Sequence, residues 1–247
     1  MQGIIIVNKP KAWTSFDVVA KIRSLTGIVK VGHSGTLDPM ATGVLPIFIG
    51  RSATKLIDQF IGGDKGYLAE MTLGVRTDTL DATGKILTPS SLRLDTLLHE
   101  MERGIRKLLK KYTGEIEQVP PMYSAKQIDG QRLYKLARKG IEVERKPVKI
   151  TIHKLEVINF EGDKVIIDVV CSKGTYIRQL VSDIGDDLGC GAHLSKLERT
   201  YAQPFHISQA INMETIITLA KHGKLDTIII KPEEILNGQK PSQTENS

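Results

Sequence analysis

The stretch GHSGTLDPMATGVLP, residues 32–46, decides how this chain is interpreted, because it places an acidic side chain, Asp38, on a stiff turn. Two glycines in its first half permit unusual backbone angles, and Pro39 biases Asp38 away from the helical region. Asp38 is therefore predicted to be held on a fixed turn between two elements of secondary structure. Asp-Pro and Ser-Gly are also common turn formers, so turn chemistry alone leaves an ordinary surface loop as the alternative.

Hydrophobic periodicity on both sides of this loop predicts a mixture of strands and helices. Strands are expected at residues 4–7, 44–49, 67–73, 148–160 and 165–171, with a hairpin turn at 161–163, and helices at 15–25, 53–60, 94–109, 131–139 and 175–188. Ser15 is expected to cap the first helix, which Gly27 closes. The apolar stripe of the last helix leaves Arg178 on the flank rather than in the core. Because the strands neither alternate regularly with helices nor form evenly spaced hairpins, the fold class is expected to be α+β, with helices packed on a mixed sheet.

The positive charge of the chain is concentrated in one segment. The sequence has a formal net charge of +6, and residues 126–154, with nine basic and three acidic residues, have the same net charge. The helix expected at 131–139 carries four basic residues along or beside one stripe: Arg132, Lys135, Arg138 and Lys139. A patch of this kind is typical of proteins that neutralise phosphates, and a solvated surface helix is the alternative.

Several common classes of site are not indicated by the sequence. Cys171 and Cys190 are the only cysteines, which excludes a disulfide framework and fits a reducing, cytosolic compartment. Cys190 and His193 lack further metal ligands nearby, and a turn with a buried thiol is the simpler interpretation. A P-loop, a dinucleotide fingerprint and a Gly-x-Ser-x-Gly elbow are all missing, so neither a cofactor nor a metal is expected. The apolar run near the N-terminus is too short for a signal peptide or a membrane span.

The whole string at residues 32–46 resembles the catalytic motif of the TruB family, the tRNA pseudouridine-55 synthases. The resemblance covers roughly residues 3–211 and includes Lys9-Pro10, GDKGYLAEMTLGVRTDTLDATG (63–84), VPPMYSAKQIDGQRLYKLARKG (119–140), CSKGTYIRQL (171–180) and the GCGAHLSKLER that follows. It implies the pseudouridine synthase fold, a largely antiparallel mixed sheet flanked by helices, with an inserted basic RNA-binding segment at about 112–150. It also implies a single catalytic domain at 1–236 and a disordered tail at 237–247, and the C-terminal PUA domain of many family members is expected to be absent.

The resemblance assigns catalytic roles to three residues. Asp38 would be the catalytic carboxylate, Tyr67 the ring that lies against the target uracil and can assist proton transfer, and Arg178 the partner of Asp38. Pseudouridine formation breaks the bond from ribose C1′ to N1 of uracil and rejoins the base through C5, which suits a carboxylate facing a sugar carbon. Burial disfavours an ionised carboxylate and a nearby guanidinium favours it, so Arg178 would keep Asp38 charged. A covalent adduct and a glycal route both stay open.

Four further residues are expected to contact the substrate or support the site. By the same resemblance, Tyr176 and Leu197 would line the pocket. His33 would fill the space that a flipped-out base leaves, and Lys9 would support the site beside the loop. Each has a plain structural alternative, since Tyr67 could serve ordinary sheet packing and Leu197 could be a core residue. The four basic residues named above would grip the RNA.

Two positions depart from the family pattern, and two other functions compete with the first. Ala12 stands where the family usually has glycine, and Asn8 where aspartate is common, which affects the supporting turn.

The alternatives are a guide-dependent synthase of the dyskerin type and a non-catalytic RNA chaperone that helps tRNA fold. The expected partner is the T arm of tRNA, with no membrane, no obligate protein partner, a monomeric state and a cytoplasmic location.

Overall fold

The computed structural model describes residues 2–89, 98–124, 126–128 and 130–232, which form two compact units. The first unit contains the residues up to Gly63 and those from Arg199 onward. The second unit is Asp64–Glu198. The loop that carries Asp38 therefore belongs to the first unit, and the basic segment belongs to the second.

The elements follow one another in this order: β1 (Gly3–Lys9), α1 (Ser15–Thr26), β2 (Val31–His33), β3 (Thr42–Ile49), α2 (Gly50–Thr54), α3 (Ile57–Ile61), β4 (Lys65–Leu73), β5 (Val75–Thr77), β6 (Ile86–Pro89), α4 (Leu98–Leu109), β7 (Gly114–Gln118), β8 (Gln127–Ile128), β9 (Gln131–Arg132), α5 (Leu133–Ala137), β10 (Val148–Glu161), β11 (Lys164–Cys171), α6 (Ile177–Asp187), β12 (Ala192–Ala202), β13 (Phe205–His206), β14 (Ile211–Asn212) and α7 (Met213–Lys221). Short 3₁₀ turns lie at Lys110–Tyr112, Ile207–Gln209 and Leu225–Ile228.

The first unit is built around β1, which pairs with β14 in parallel and with β3 in antiparallel fashion. β2 also pairs with β3, so the motif loop leaves β2 and returns as β3. Four consecutive apolar residues of β1, at 4–7, are buried, as expected for a strand covered on both faces. Phe48 of β3 packs on Phe60, and Phe60 stacks on Phe205, with ring centroids 5.4 and 5.7 Å apart. This core holds the strands that flank the loop.

The second unit contains a sheet in which β4, β11, β10 and β7 lie side by side in that order, each pair antiparallel. In β11 every second side chain is buried, from Val165 to Cys171, the pattern of a strand with one face on the core. α6 buries the apolar stripe expected from the sequence, including Leu180 and Ile184. The α+β class and the mixed, largely antiparallel sheet are confirmed.

Three elements differ from those expected from the sequence. Thr14, not Ser15, caps α1: its side chain accepts a hydrogen bond from the Asp17 amide, and the Asp17 carboxylate accepts from the Thr14 amide at 2.8 Å. The helix expected at 53–60 is split into α2 and α3. The helix expected at 131–139 is only five residues long, because the chain first forms the β8–β9 hairpin, and Arg132 lies in β9.

The remaining expectations from the sequence either agree with the observed elements or concern residues that the structure does not describe. The closing glycine of α1, Gly27, has the left-handed φ of +69° that a helix end favours. α4 matches the later part of the helix expected at 94–109, and residues 94–97 lie outside the described residues, as does the expected tail at 237–247.

Candidate active site

Asp38 lies, half-buried, on a closed turn in the loop between β2 and β3. Its carbonyl accepts a hydrogen bond from the Ala41 amide at 3.0 Å, which places Pro39 second in a four-residue turn. Proline favours that position because its ring presets the backbone angle. The stiff turn expected from the sequence is therefore present.

The buried hydroxyl of Ser15 holds the backbone immediately before Asp38. Ser15 Oγ accepts a hydrogen bond from the Leu37 amide at 2.9 Å, and the same hydroxyl donates a hydrogen bond to the Leu37 carbonyl at 3.3 Å. Both residues are buried, so water does not compete with these bonds. The first turn of α1 thus fixes Leu37, and through it the start of the Asp38 turn.

Lys9 holds the other side of the turn. Its side chain is fully buried, and Nζ donates to the carbonyl oxygens of Pro10, Trp13 and Pro39 at 3.0, 2.6 and 3.3 Å. An ammonium group has three N–H donors, so each has an oxygen acceptor. Burial lowers the pKa of Lys9 to about 8, against the opposing effect of the Asp38 carboxylate. Lys9 therefore lies where the family resemblance expects a support, and its role there stays a prediction.

Arg199 is a third buried support of the loop. Only 1% of the residue is exposed, and its guanidinium donates to Val44 O at 2.7 Å through Nε and to Gly35 O at 3.1 Å through Nη2. Gly43 lies against this strand, and a Cβ there would overlap the backbone carbonyl of Arg199. Arg199 is not among the residues expected from the sequence. The sequence does offer one indication of its burial: Arg199 is a charged residue two positions after Leu197, on the inward face of a strand with alternating burial.

His33 ends β2 on the approach to this turn, and Nδ1 accepts a hydrogen bond from the Gly35 amide at 3.3 Å. Burial lowers the pKa of the imidazole, and the charge of Arg199 adds to the effect. Both effects favour the neutral form of the ring. Lys9, His33 and Asp38 are thus together in the first unit, supported by Ser15 and Arg199.

Ala12 and Asn8, which depart from the family pattern, both contact the base of this loop. Ala12 adopts a left-handed φ of +69°, a conformation that glycine adopts without strain, and its amide donates to Pro39 O at 2.8 Å. Asn8 Oδ1 accepts a hydrogen bond from the Gly43 amide at 3.1 Å. The amide oxygen does what a carboxylate oxygen would do there, so the asparagine keeps this contact.

The second unit carries the other expected site residues. Tyr67 is half-buried in β4, opposite Val169 of β11. Tyr176 precedes α6 as its N-cap residue, and Leu197 is buried in β12. These roles also stay predictions, as does the pairing of Asp38 with Arg178.

Arg178 lies beside the apolar stripe of α6, as expected, but it is buried there. It is 7% exposed, with Nη2 donating to Tyr123 O at 2.8 Å and Nη1 lying 3.5 Å from Asp81 Oδ2. The long side chain reaches polar groups of two neighbouring segments, which compensate its charge. Asp81, which was not expected from the sequence either, is a buried carboxylate whose Oδ1 accepts a hydrogen bond from the Thr83 amide at 2.9 Å.

The basic segment exposes the side chains expected to hold RNA: Arg132, Lys135, Arg138 and Lys139. Leu133 is fully buried beneath them. The guanidinium of Arg138 lies over the ring of Tyr134, 5.6 Å from its centroid. The short helix α5 and the adjoining hairpin therefore present positive charge around one buried anchor.

The part of the chain that the structure describes contains no group of three or more His, Cys, Asp or Glu residues placed to hold a metal ion. Among the same residues, no helix is both long enough and apolar enough to cross a membrane. Cys171 and Cys190 are buried, and burial raises the pKa of the Cys171 thiol to about 12.

Comparison with known proteins identifies the family. Residues 23–177, more than half of the chain, match the sequence model described as TruB family pseudouridylate synthase (N terminal domain). The chain belongs to the TruB family. Residues 178–237 match the model of the tRNA pseudouridylate synthase B C-terminal domain. The resemblance inferred from the motifs is thereby confirmed.

Relatives within the TruB family cover most of the chain. The tRNA pseudouridine synthase B of Protochlamydia amoebophila is 47% identical over 219 residues, which are 89% of this chain and 81% of the relative. That of Clostridium kluyveri is 49% identical over 214 residues, 87% of this chain and 72% of the relative. Among solved structures, a chain in a Cbf5-Nop10-Gar1 complex is 30% identical with a TM-score of 0.69. That match covers 97% of this chain, which spans 60% of the solved chain.

Proposed function

We propose that this chain is a tRNA pseudouridine synthase that isomerises uridine 55 in the T loop, with Asp38 as the nucleophile. The observation that carries the proposal is the Asp38 turn, in which buried side chains hold the backbone before and after the carboxylate. Relatives 47% and 49% identical are named tRNA pseudouridine synthase B, which supports tRNA as the substrate. Reactive groups fixed in this way avoid the entropic cost of ordering during the reaction.

The proposed reaction is an isomerisation with no redox change and no hydrolysis. The bond from C1′ to N1 breaks, the detached uracil turns, and a bond from C1′ to C5 forms, while C5 loses a proton and N1 gains one. The ionised Asp38 either bonds to C1′ or removes a proton from C2′ to give a glycal. Both routes need a charged carboxylate close to the ribose, and Arg178 is proposed to keep it charged.

The target base must leave the stack before Asp38 can reach its sugar. Flipping a nucleotide costs a few kcal/mol. Tyr67 and Tyr176 are proposed to offer faces for the extruded uracil, with Leu197 closing the pocket. His33 is proposed to fill the gap left behind, and the lowered pKa of its imidazole suits this task, because a neutral ring stacks without carrying a charge into the RNA.

The exposed basic residues around α5 are proposed to grip the phosphates of the T arm. On this proposal the catalytic domain spans residues 1–236 with its RNA-binding insertion at about 112–150, and acts in the cytoplasm as a monomer without cofactor or protein partner. Electrostatic grip of this kind weakens as salt rises, because binding releases counterions from the RNA.

Chemical mapping of pseudouridine in unmodified tRNA, after incubation with the purified protein alone, tests the proposal. Product at position 55 without a guide RNA is expected. Product that requires a guide or further proteins would favour the dyskerin type, and tRNA binding without product would favour the chaperone. Asp38→Asn is expected to abolish tritium release from C5 while tRNA affinity stays within about threefold, about 0.7 kcal/mol. Retained turnover in this variant would refute the nucleophile.

The grip on RNA is tested by replacing Arg132, Lys135 and Arg138 together with alanine. Each lost phosphate contact lowers the slope of log affinity against log salt by about 0.7 to 0.9, so the slope should fall by about 2. Three exposed basic residues of equal total charge on and after α4 supply the matched control: Arg103, Lys107 and Lys110. Equal slopes for both triple variants would place the RNA contacts elsewhere.

A further inference from the structure

Gln118, the last residue of β7, pairs its side-chain amide with the backbone of Tyr176. Gln118 Oε1 accepts a hydrogen bond from the Tyr176 amide at 2.8 Å, and Nε2 donates to the Tyr176 carbonyl at 3.1 Å. Gln118 is 1% exposed, so water is excluded from both bonds. Two bonds between one side chain and the backbone of one residue fix the position of Tyr176 more tightly than either bond would alone.

This contact lies at the start of α6. The Tyr176 carbonyl also accepts a hydrogen bond from the Leu180 amide at 3.0 Å, an early bond of the helix. Arg178 follows two residues later in the first turn. Gln118 is itself held by the pairing of β7 with β10, opposite Val148. The sheet therefore sets the position of Tyr176 and of the helix start through one glutamine.

The segment that follows Gln118 makes a second contact with α6. The Tyr123 carbonyl accepts the 2.8 Å hydrogen bond from Arg178 Nη2. The buried Pro120 and Pro121 lie between the two contacts and restrict this stretch of backbone. Beyond it, the Ser124 carbonyl accepts a hydrogen bond from the Tyr134 amide of α5 at 3.0 Å. Residues 118–124 thus join the basic segment to Tyr176 and Arg178 at the start of α6.

We infer that Gln118 is a positioning residue for the reaction: it aligns Tyr176 and the start of α6 with the target nucleotide. The inference rests on the proposed function. Substitution of Gln118 is therefore expected to lower the rate constant of the bound complex and to leave tRNA affinity nearly unchanged, because the exposed basic residues are untouched. Substitution of a residue with only a structural role would lower the stability of the fold without lowering the rate constant selectively relative to tRNA affinity.

Two substitutions test the inference. Gln118→Leu keeps the approximate volume and removes both hydrogen bonds. Gln118→Glu keeps the acceptor, but an ionised carboxylate cannot donate to the Tyr176 carbonyl, whereas the protonated acid can. The rate constant is expected to fall about 10- to 100-fold in both variants at pH 8, since small displacements of site residues are costly. As the pH is lowered to 6 and below, the rate of Gln118→Glu relative to wild type should recover, and that of Gln118→Leu should stay flat.

Ile116→Ala is the matched control, because Ile116 lies on the same strand and is half-buried. It is expected to lower the melting temperature and to keep the wild-type rate constant. Single-turnover rates at saturating enzyme, tRNA binding and hydrogen exchange of the Tyr176 amide are measured for each variant. Faster exchange is expected only in the Gln118 variants.

Wild-type rates in the Gln118 variants would overturn the inference and leave the proposed function standing. A parallel loss of rate and tRNA affinity in these variants would do the same. Equal rate losses in Ile116→Ala would overturn it as well. Absence of turnover by the wild-type protein would overturn the proposed function and this inference with it, so the two failures are distinguishable.

Discussion

Replacing Ser15 by alanine is expected to slow catalysis as well as destabilise the fold. The Ser15 hydroxyl exchanges hydrogen bonds of 2.9 and 3.3 Å with Leu37, which is 3% exposed, so water cannot readily replace them. Each bond contributes about 0.5–1.5 kcal/mol, so the free energy of unfolding should fall by about 1–3 kcal/mol. Leu37 directly precedes Asp38, and a shift of the carboxylate by about 1 Å should lower the rate constant about 10- to 100-fold.

The neighbouring Thr14 provides a control within the same helix end. Thr14→Ala removes the cap of α1, which costs about 1 kcal/mol of stability, but the Thr14 cap bonds join it to Asp17 and not to the loop. Urea unfolding gives the stability of both variants, and tritium release in single turnovers gives the rate constant. Thr14→Ala should keep the wild-type rate within about twofold, roughly 0.4 kcal/mol. If both variants react equally fast, the contact of Ser15 with Leu37 does not position Asp38 for the reaction.

Three further outcomes are expected. Ala12→Gly should raise the free energy of unfolding by up to about 1 kcal/mol in urea titrations, since relief of the left-handed strain exceeds the entropy of the freer unfolded chain; a lower stability would contradict this. Lys9 loses a proton, and with it one N–H donor, as pH rises through about 8, so the rate should fall there. The contribution of Lys9 to the free energy of unfolding should rise between about pH 8 and pH 10.5, because the unfolded chain binds that proton more tightly. A reaction rate that climbs through this pH window would refute the role of the ammonium group. Asp81→Asn removes the charge beside the buried Arg178 and should lower the rate about 10- to 100-fold. Asp78→Asn, at an exposed carboxylate, should leave the rate unchanged. Similar rates for the two variants would exclude the ion pair of Asp81 and Arg178 from the reaction.

The sequence predicted those features that depend on neighbouring residues. Pro39 presets the Asp38 turn, Gly27 ends α1 with a left-handed backbone, and the alternating pattern of 165–171 gives a half-buried strand. Each follows from constraints within a few residues. The family motif supplied Asp38 itself, since no local pattern distinguishes a catalytic aspartate from one in an ordinary turn.

Long-range contacts decided the rest of the candidate site. Periodicity correctly placed Arg178 beside the apolar stripe of α6, but Tyr123 and Asp81, distant in sequence, cover that flank and bury it. Ser15 could have capped α1, yet its hydroxyl is used by Leu37, 22 residues away, and Thr14 takes the cap. The sequence determined which residues can carry the chemistry, because motif and turn are local; the tertiary structure decided which groups hold them, because a buried charge or hydroxyl must find partners wherever the fold brings them close.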